Sequence, residues 1–303
     1  MNKTQVVVKS ISAQIVNGFV TGGIGGNPAG VVLDADELSE VEMLDIAKKV
    51  GLSETAFVSS SDTEGFKLDF FTPNQRIAHC GHATIATFSY LAELGRISEG
   101  ATSKETVDGP RKILIKNGAA YMEQLAPKYR IASDWEKDDV TIADVLQSVG
   151  ITGSDLNNNV GPTLVNTGNS FIVIAVKDGA TLRGITPNFD LISGISEKLD
   201  LIGYYVFTTD SNATDKDATT RMFAPRYAIE EESATGMAAG PLACVLHDYL
   251  HIDKDTFLIE QGRFMEPASP SLITVELSVE NGEVKNLMAG GYGKMSKRLS
   301  IDY

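Results

Sequence analysis

Short apolar runs separated by turn-forming residues dominate the pattern of hydrophobic and polar positions along this chain. The runs are rich in Val, Ile, Phe and Tyr and are bounded by Gly, Asn, Asp and Pro, which is typical of β-strands. Pro73 and Pro225 each follow such a run, and we expect a strand to end before each proline. The pattern therefore predicts a chain rich in short strands.

Three segments have the length and spacing of helices. Residues 39–49 predict an amphipathic helix, with acidic residues early, two lysines late and Gly51 just past the end, as the helix dipole and a glycine C-cap favour. Residues 83–94 and 240–250 are apolar or small on nearly all sides, which indicates buried helices. We expect strands to wrap each of these two helices.

The two halves of the chain carry similar strings in the same order, about 140 to 155 residues apart. The similar strings pair residues 26–32 with 168–173, 56–58 with 204–207, 68–73 with 220–225, and 80–86 with 233–239. Four ordered matches predict a duplicated α+β fold with pseudo-twofold symmetry, the alternative being coincidence among common apolar strings. We expect domains over residues 1–128 and 129–303, with the C-terminal strand as a candidate further part of the first. The polar stretch 128–159 is the expected crossing between them.

Charge and composition narrow the classes of partner. The 303 residues include 26 basic and 40 acidic ones, for a net charge of −14. Such a surface repels phosphate backbones, so we expect neither nucleic acid nor an anionic membrane as a partner. The N-terminal run Val6-Val7-Val8 is too short for a signal-peptide core. Because there are two cysteines, Cys80 and Cys244, we expect a reducing compartment, the cytoplasm.

The turn Cys80-Gly81-His82-Ala83-Thr84, just before the first buried helix, is the first candidate site. A helix start presents N–H groups that bind a carboxylate or phosphate, and a glycine lets a ligand approach the backbone. If Gly236 opens the second helix in the same way, two such helix ends would face a cleft suited to a small polyfunctional acid. The alternative is that both glycines only solve packing at sharp turns.

Glu54 is the best candidate for an acid or base. Its neighbours Leu52 and Phe57 are apolar, and an apolar setting raises the pKa of a carboxyl group towards neutrality. The commoner role at such a position is a solvated loop glutamate or a helix cap. His82 could orient a substrate or relay a proton, or be a structural histidine. Of the acidic triplet 230–232, one carboxylate could point inwards opposite Glu54, although most charge runs are solvated.

Two further patterns suggest a metal site and a nucleotide site, but each lacks residues that such a site requires. Cys244, His247 and His251 have the spacing of one helix face and could offer three zinc ligands, but no fourth ligand is evident. The glycine-rich loop 22–26 is followed neither by a dinucleotide fingerprint nor by a Walker lysine. We therefore expect no metal and no cofactor.

Six ordered motifs resemble the PhzF family of phenazine-biosynthesis-like isomerases. They are Gly26-Asn27-Pro28-Ala29-Gly30-Val31-Val32, Ser53-Glu54-Thr55-Ala56-Phe57-Val58, Phe71-Thr72-Pro73, Cys80-Gly81-His82-Ala83-Thr84, Arg221-Met222-Phe223-Ala224-Pro225 and Ala234-Thr235-Gly236. With Gln261-Gly262, the resemblance extends from about Ile15 to the C-terminal strands. It is specific for the family but not for a substrate.

The resemblance implies the diaminopimelate epimerase fold: two domains, each a mixed sheet curled around a central helix, with the active site in the cleft between them. It implies a cofactor-independent, usually homodimeric enzyme that moves a proton between carbons of a small carboxylic acid, as the best-known member does on trans-2,3-dihydro-3-hydroxyanthranilate. Glu54 and His82 match the family's catalytic glutamate and active-site histidine, and Glu232 stands where an aspartate is usual. The substrate-binding residues expected from these motifs are Asn27, Gly81, Ala83, Thr84, Thr235, Gly236 and Met237.

This sequence departs from the family pattern at further positions. Met237 replaces a serine and cannot donate the hydrogen bond that a serine would. Arg76 replaces a glutamate, and Ser233 replaces a proline. The related epimerases use two cysteine bases, whereas here Cys80 lies near one such position and Ala234 holds the other. The alternatives to a PhzF-type isomerase are a non-catalytic acid-binding protein and an enzyme of the amino-acid racemase or epimerase type.

Overall fold

The computed structural model describes residues 9–157 and 159–303. The run Val6-Val7-Val8 and Asn158 lie outside the described residues. The chain forms two compact units. Unit 1 contains the described residues up to Gly18, together with Pro28–Met122 and Tyr292–Tyr303, and unit 2 contains Phe19–Asn27 and Glu123–Gly291.

Unit 1 is built from the first eight strands and two helices. The strands that lie wholly or partly in it are β1 (Ser10–Val20), β2 (Asn27–Val32), β3 (Thr55–Ser59), β4 (Phe66–Phe71), β5 (Arg76–Ile77), β6 (Gly100–Glu105), β7 (Arg111–Lys116) and β8 (Ala119–Leu125). The helices are α1 (Glu40–Val50) and α2 (Gly81–Glu93). Strand β2 pairs in parallel with β3, and β3 pairs antiparallel with β4. Strand β4 then pairs in parallel with β6, which forms an antiparallel pair with β7.

Unit 2 repeats this arrangement with added helices. Its strands are β9 (Lys128–Arg130), β10 (Thr163–Asn166), β11 (Ser170–Ala175), β12 (Gly203–Thr208), β13 (Ala218–Ala224), β14 (Ile229–Glu232), β15 (Thr256–Gln261), β16 (Ser271–Glu280) and β17 (Glu283–Asp302), whose last residues belong to unit 1. Its helices are α3 (Ala132–Trp135), α4 (Ile142–Ser148), α5 (Gly179–Gly184), α6 (Phe189–Leu199) and α7 (Gly236–Asp248).

The strand pairings confirm the duplication predicted from the repeated strings. In unit 2, β11 pairs in parallel with β12, β12 antiparallel with β13, β13 in parallel with β15, and β15 antiparallel with β16. This is the same series of directions as in β2, β3, β4, β6 and β7 of unit 1. The α+β fold of two pseudo-symmetric units, each a mixed sheet around a central helix, is therefore as predicted.

Both ends of helix α1 lie at the residues that the sequence signals indicate. The side chain of Ser39 caps the first turn in a reciprocal capping box with Glu42, and Gly51 adopts the left-handed conformation at φ 72° beyond the last turn. Its buried face, which includes Met43 and Ile46, packs into the apolar core of unit 1. The predicted amphipathic helix over residues 39–49 is thus confirmed.

The two central helices are buried, and strands approach them closely. Helix α2 contacts β3 and β7, and α7 contacts β11 and β16. A Cβ on Gly18 would lie 3.0 Å from the His82 carbonyl oxygen, so glycine lets β1 approach the first turn of α2. Helix α7 begins at Gly236, about one turn earlier than the predicted residue 240. Among the described residues, no helix is both long and apolar enough to span a membrane.

The polar stretch 128–159 is not a crossing between the halves, and that prediction is wrong. Its described residues belong to unit 2, where Trp135, Val140 and Val145 are buried in the same core as Tyr204. Its polar residues occupy the solvent side, so composition alone hid the buried positions. The chain changes unit between Met122 and Glu123, whereas the predicted domain boundary 128/129 falls within β9.

Candidate active site

In unit 1, a carboxylate and an imidazole face each other inside the protein. Glu54 directly precedes β3, and the Gly30 N–H donates to its carbonyl oxygen at 2.9 Å. His82 is the second residue of α2, and its Nε2 lies 3.3 Å from Glu54 Oε2. The two residues are 7% and 5% exposed. Glu54 Oε2 accepts no hydrogen bond from any residue that the structure describes, so the carboxylate is held loosely by polar contacts.

Cys80 completes this group from the other side of the imidazole. Its Sγ lies 3.6 Å from His82 Nδ1. Burial raises the pKa of the Cys80 thiol, and the nearby Glu54 carboxylate acts in the same direction, while His82 acts against both. The thiol is therefore protonated at neutral pH and is not suited to act as a base. Cys244, deep in α7, likewise has its pKa raised by burial.

Glu54, Cys80 and His82 are also the described residues that could hold a metal ion, because their ligand atoms lie within 4.8 Å of one another. The thiol approaches Nδ1 and the carboxylate approaches Nε2, and these two nitrogens face different directions. A metal ion bound to one ring nitrogen would lie on the far side of the ring from the ligand beside the other nitrogen. The arrangement of Glu54, His82 and Cys80 therefore suits a row of proton-bearing side chains better than the tetrahedral coordination of a metal ion.

The other zinc hypothesis rested on Cys244, His247 and His251 sharing one helix face. Helix α7 ends at Asp248, so His251 lies beyond it, with a left-handed backbone at φ 54°. His247 Nδ1 lies 2.6 Å from Asp248 Oδ1. The three side chains therefore do not share one helix face.

The first turn of α2 begins without a hydrogen-bonded side-chain cap. Within the turn, the Thr84 hydroxyl donates to the Cys80 carbonyl oxygen at 2.6 Å, and the Thr84 N–H reaches the same oxygen at 3.3 Å. Thr84, predicted as a substrate-binding residue, thus has both its donors engaged in the turn. Gly81 and Ala83 occupy the first and third helical positions, where backbone N–H groups precede the regular helix ladder.

Lys104 on β6 is a part of this network that the sequence analysis missed. The side chain is 0% exposed, and its Nζ donates to the Thr84 hydroxyl at 2.6 Å and lies 3.0 Å from His79 Nδ1. It also lies 4.8 Å from the centre of the Phe70 ring. Burial lowers the pKa of Lys104 and the pKa of His79 well below their usual values. No local sequence signal marks Lys104 as a buried lysine.

In unit 2, Glu232 is held by several hydrogen bonds. Asn27 Nδ2 donates to Glu232 Oε1 at 3.0 Å and to the Ala234 carbonyl oxygen at 3.0 Å. The Thr235 hydroxyl donates to Glu232 Oε2. The structure thus brings together Asn27, Glu232 and Thr235, three of the residues predicted for the site.

The other members of the acidic triplet point elsewhere. Glu231 forms a two-pronged ion pair with Arg221, with both N–O distances 2.8 Å, and Glu230 is exposed. Arg221 also donates to the Ile185 carbonyl oxygen at 3.0 Å. The Glu231 pair therefore holds structure, and Glu232 is the member of the triplet that lies beside α7.

Gln261 organises the turn around Glu232. Its Nε2 donates to the Glu232 carbonyl oxygen at 2.6 Å and to the Thr235 hydroxyl at 3.1 Å. Its Oε1 accepts from the Thr235 N–H at 3.0 Å and from the Tyr205 hydroxyl at 2.9 Å. The motif Gln261-Gly262 was part of the family resemblance, but these contacts join distant strands and could not be predicted from it.

Residues 16–293 match the sequence profile of the family described as phenazine biosynthesis-like protein, PhzC-PhzF. The chain belongs to the PhzF family. It is 32% identical over 293 residues to a protein named as an uncharacterized isomerase of Clostridium acetobutylicum, covering 94% of this chain and 96% of that one. This relative supports the predicted enzyme class, an isomerase.

Solved structures agree with the PhzF assignment. A phenazine biosynthesis protein of the PhzF family from Bacillus anthracis superposes with a TM-score of 0.86 at 26% identity, covering 97% of this chain and 99% of that one. A hydroxyproline epimerase from Agrobacterium vitis superposes with a TM-score of 0.58 at 12% identity, and the match covers 97% of this chain and 92% of the epimerase chain. That second likeness concerns the fold alone and is in line with the predicted epimerase-like architecture.

The structure shows how this chain accommodates its departures from the PhzF pattern. Arg76 pairs with the buried carboxylate of Asp69 and lies 3.6 Å from Glu40. The Ser233 hydroxyl donates to the Gly26 carbonyl oxygen at 3.0 Å. Both residues thus have structural partners within their own units.

The start of α7 also has local partners. Asn169 Nδ2 donates to Met237 Sδ at 3.3 Å. A Cβ on Gly236 would lie 2.9 Å from the Phe19 ring, so packing alone already requires glycine here. Like α2, α7 begins without a hydrogen-bonded side-chain cap.

Proposed function

We propose that this PhzF-family isomerase moves a proton between carbons of a small carboxylic acid, with Glu54 as the group that removes and returns the proton. One observation carries the proposal: the buried Glu54 carboxylate faces His82 Nε2 at 3.3 Å, and its Oε2 accepts no hydrogen bond from the described residues. A carboxylate without anchoring donors changes its protonation state without breaking a hydrogen-bond network.

The surroundings of Glu54 support this role. The His82 imidazole keeps a polar group beside Glu54 as the carboxylate gains or loses a proton. The backbone N–H groups of Gly81 and Ala83, at the uncapped positive end of α2, are suited to hold a substrate carboxylate or the negative charge that develops when carbon loses a proton. Thr84 and Lys104 keep this turn in place from behind.

In unit 2, the proposed role of Glu232 and its neighbours is substrate binding and orientation. Glu232 is fixed by Asn27 and Thr235, and the first turn of α7 contributes Gly236 and Met237. A second acid–base role for Glu232 is the alternative, and it predicts that Glu232→Gln loses deuterium exchange. That both sets of residues act on one substrate molecule, without a cofactor and in a homodimer, is a prediction that rests on the family resemblance.

The experiment that tests the proposal is incorporation of solvent deuterium. Wild type, Glu54→Gln and Glu230→Gln are incubated in D₂O with a panel of small carboxylic acids that includes dihydro-hydroxyanthranilate and several amino acids, and mass is read by mass spectrometry. The wild type and Glu230→Gln, which changes an exposed glutamate, are expected to label the same compound. Loss of a general base reduces turnover by about 10²- to 10⁴-fold, so Glu54→Gln should leave that compound unlabelled.

Two outcomes would contradict the proposal. Labelling by Glu54→Gln at the wild-type rate would remove Glu54 from the chemistry. Binding of one compound without labelling by the wild type would instead support a non-catalytic acid-binding protein. Labelling at the α-carbon of an amino acid, with inversion, would favour a racemase or epimerase.

A further inference from the structure

The His82 ring is held between two buried groups that differ in what they can offer. Glu54 Oε2 lies 3.3 Å from Nε2, and Cys80 Sγ lies 3.6 Å from Nδ1. Both neighbours are nearly inaccessible, at 7% and 6% exposed. A neutral imidazole carries one N–H donor and one acceptor nitrogen, so these two contacts decide which nitrogen bears the proton.

The contact on the Nδ1 side is with a thiol rather than a thiolate. Cys80 is the N-cap residue of α2, and burial together with the adjacent Glu54 carboxylate raises its pKa. A protonated thiol is a weak donor and a weaker acceptor. It therefore serves an unprotonated Nδ1 better than a protonated one. On the other side, an ionised Glu54 carboxylate can only accept, so it favours a proton on Nε2.

We propose that Cys80 is a positioning residue whose thiol donates to Nδ1 of His82 and thereby holds the ring neutral, with its single proton on Nε2, the nitrogen that lies beside Glu54. Both neighbours then favour the same tautomer, although Nε2 and Oε2 make no hydrogen bond at their 3.3 Å separation. The consequence for catalysis rests on the proposed function: His82 places an N–H group beside Glu54 without becoming a fixed positive charge, so the carboxylate stays able to take up a proton.

Two further titratable groups, Lys104 and His79, belong to the network around the same turn. Lys104 Nζ, on β6, contacts the Thr84 hydroxyl at 2.6 Å and His79 Nδ1 at 3.0 Å. Burial lowers the pKa of both groups. At the His82 ring itself, Cys80 lies beside Nδ1 and Glu54 lies beside Nε2.

The test is nitrogen NMR of the histidine rings in the whole protein, which has four histidines. The His82 signals are assigned by their loss in His82→Gln. At neutral pH the wild type is expected to show an unprotonated Nδ1 and a protonated Nε2. A protonated Nδ1 in the wild type, whether in the other tautomer or in an imidazolium, would overturn the inference without any variant.

The matched variant is Cys80→Ser, with Cys244→Ser as the control. A hydroxyl oxygen accepts from Nδ1–H far better than sulfur does, so Cys80→Ser should show a larger fraction of His82 rings protonated at Nδ1 in the same spectrum. Cys244 lies in α7 of unit 2, and its substitution should leave the His82 nitrogen signals unchanged. A Cys80→Ser ring with the wild-type protonation pattern would overturn the inference.

This measurement needs no substrate, so its failure is distinguishable from failure of the proposed function. A His82 ring protonated on Nδ1 in a protein that still loses deuterium exchange with Glu54→Gln would overturn the role of Cys80 alone. The expected tautomer in a protein whose exchange survives Glu54→Gln would leave that role standing and overturn the proposed function.

Discussion

The turns that lead into α2 and α7 occupy equivalent places in two similar units, yet they hold their carboxylates in opposite ways. Glu54 Oε2 accepts no hydrogen bond within the described residues and faces an imidazole. Glu232 accepts from Asn27 at one oxygen and from Thr235 at the other. The unit 2 turn therefore fixes the position of its carboxylate by hydrogen bonds, whereas the unit 1 turn leaves Glu54 Oε2 without a hydrogen-bond donor among the described residues.

The starts of the helices also differ in capping. Helices α1, α4, α5 and α6 begin with side-chain caps from Ser39, Thr141, Asp178 and Asn188. Helices α2 and α7 begin without one, as does the four-residue helix α3. A cap satisfies N–H groups that a ligand would otherwise use, so the uncapped starts of both central helices suit a binding role. Duplication thus kept the scaffold, while the residues beside each helix start diverged.

The largest effect is expected from shortening the unanchored carboxylate. Glu54→Asp keeps the charge but withdraws it by about one methylene from His82, and a misplacement of about 1 Å can reduce a rate by about 10²-fold. Deuterium exchange should fall by about that factor while the melting temperature changes little. Wild-type exchange in Glu54→Asp would show that the position of this carboxylate is not critical.

The second-largest effect is expected from removing the hydrogen bonds that hold the Glu232 turn in unit 2. Gln261→Leu removes the buried amide that bonds Glu232, Thr235 and Tyr205, leaving buried polar groups unpaired. Each such group costs about 1–3 kcal/mol, so the free energy of unfolding should fall by at least that amount in a denaturant titration. An unchanged midpoint, with unchanged substrate affinity, would mean that Gln261 does not hold the Glu232 turn.

A smaller effect is expected from substituting Lys104, the buried lysine that hydrogen-bonds Thr84 in the first turn of α2. Burial lowers the pKa of Lys104 and of His79, so between the folded and unfolded pKa values the unfolded chain binds more protons and stability rises with pH. Lys104→Met removes one of these groups and should flatten the rise in melting temperature from acidic to weakly alkaline pH. The exposed Lys48→Met is the control and should keep the wild-type slope.

The smallest effect is expected at the start of α7. Met237→Ser restores the hydroxyl usual in the PhzF family, and one neutral hydrogen bond is worth about 0.5–1.5 kcal/mol. We expect the compound that the wild type labels to bind a few-fold more tightly to Met237→Ser than to Met237→Ala, measured by calorimetry. Equal affinities of the two variants would place residue 237 outside the binding site.

Local signals predicted the scaffold well because their causes are local. Ser39 and Gly51 mark both ends of α1, and the small and apolar run before Leu94 marks a buried helix. One local signal was overlooked: Asn117-Gly118 and Asn281-Gly282 form equivalent two-residue hairpin turns, both with positive φ. Their recurrence would have strengthened the prediction of a duplicated fold.

Features set by distant contacts could not be predicted in this way. Phe19–Asn27 belongs to unit 2, and no composition shift marks this exchange. Glu54 and His82 were named as candidates, but their 3.3 Å contact depends on how β3 meets α2. The burial of Lys104 likewise depends on its neighbours in space, because an isolated lysine in a strand is usually exposed.

The most direct test of the contrast between the two turns is deuterium exchange by Glu54→Gln and Glu232→Gln, side by side, on the compound that the wild type labels. The account predicts that Glu54→Gln loses exchange by about 10²-fold or more at saturating substrate, whereas Glu232→Gln keeps measurable exchange and mainly weakens binding. The reverse order, with exchange lost in Glu232→Gln and kept in Glu54→Gln, would contradict it.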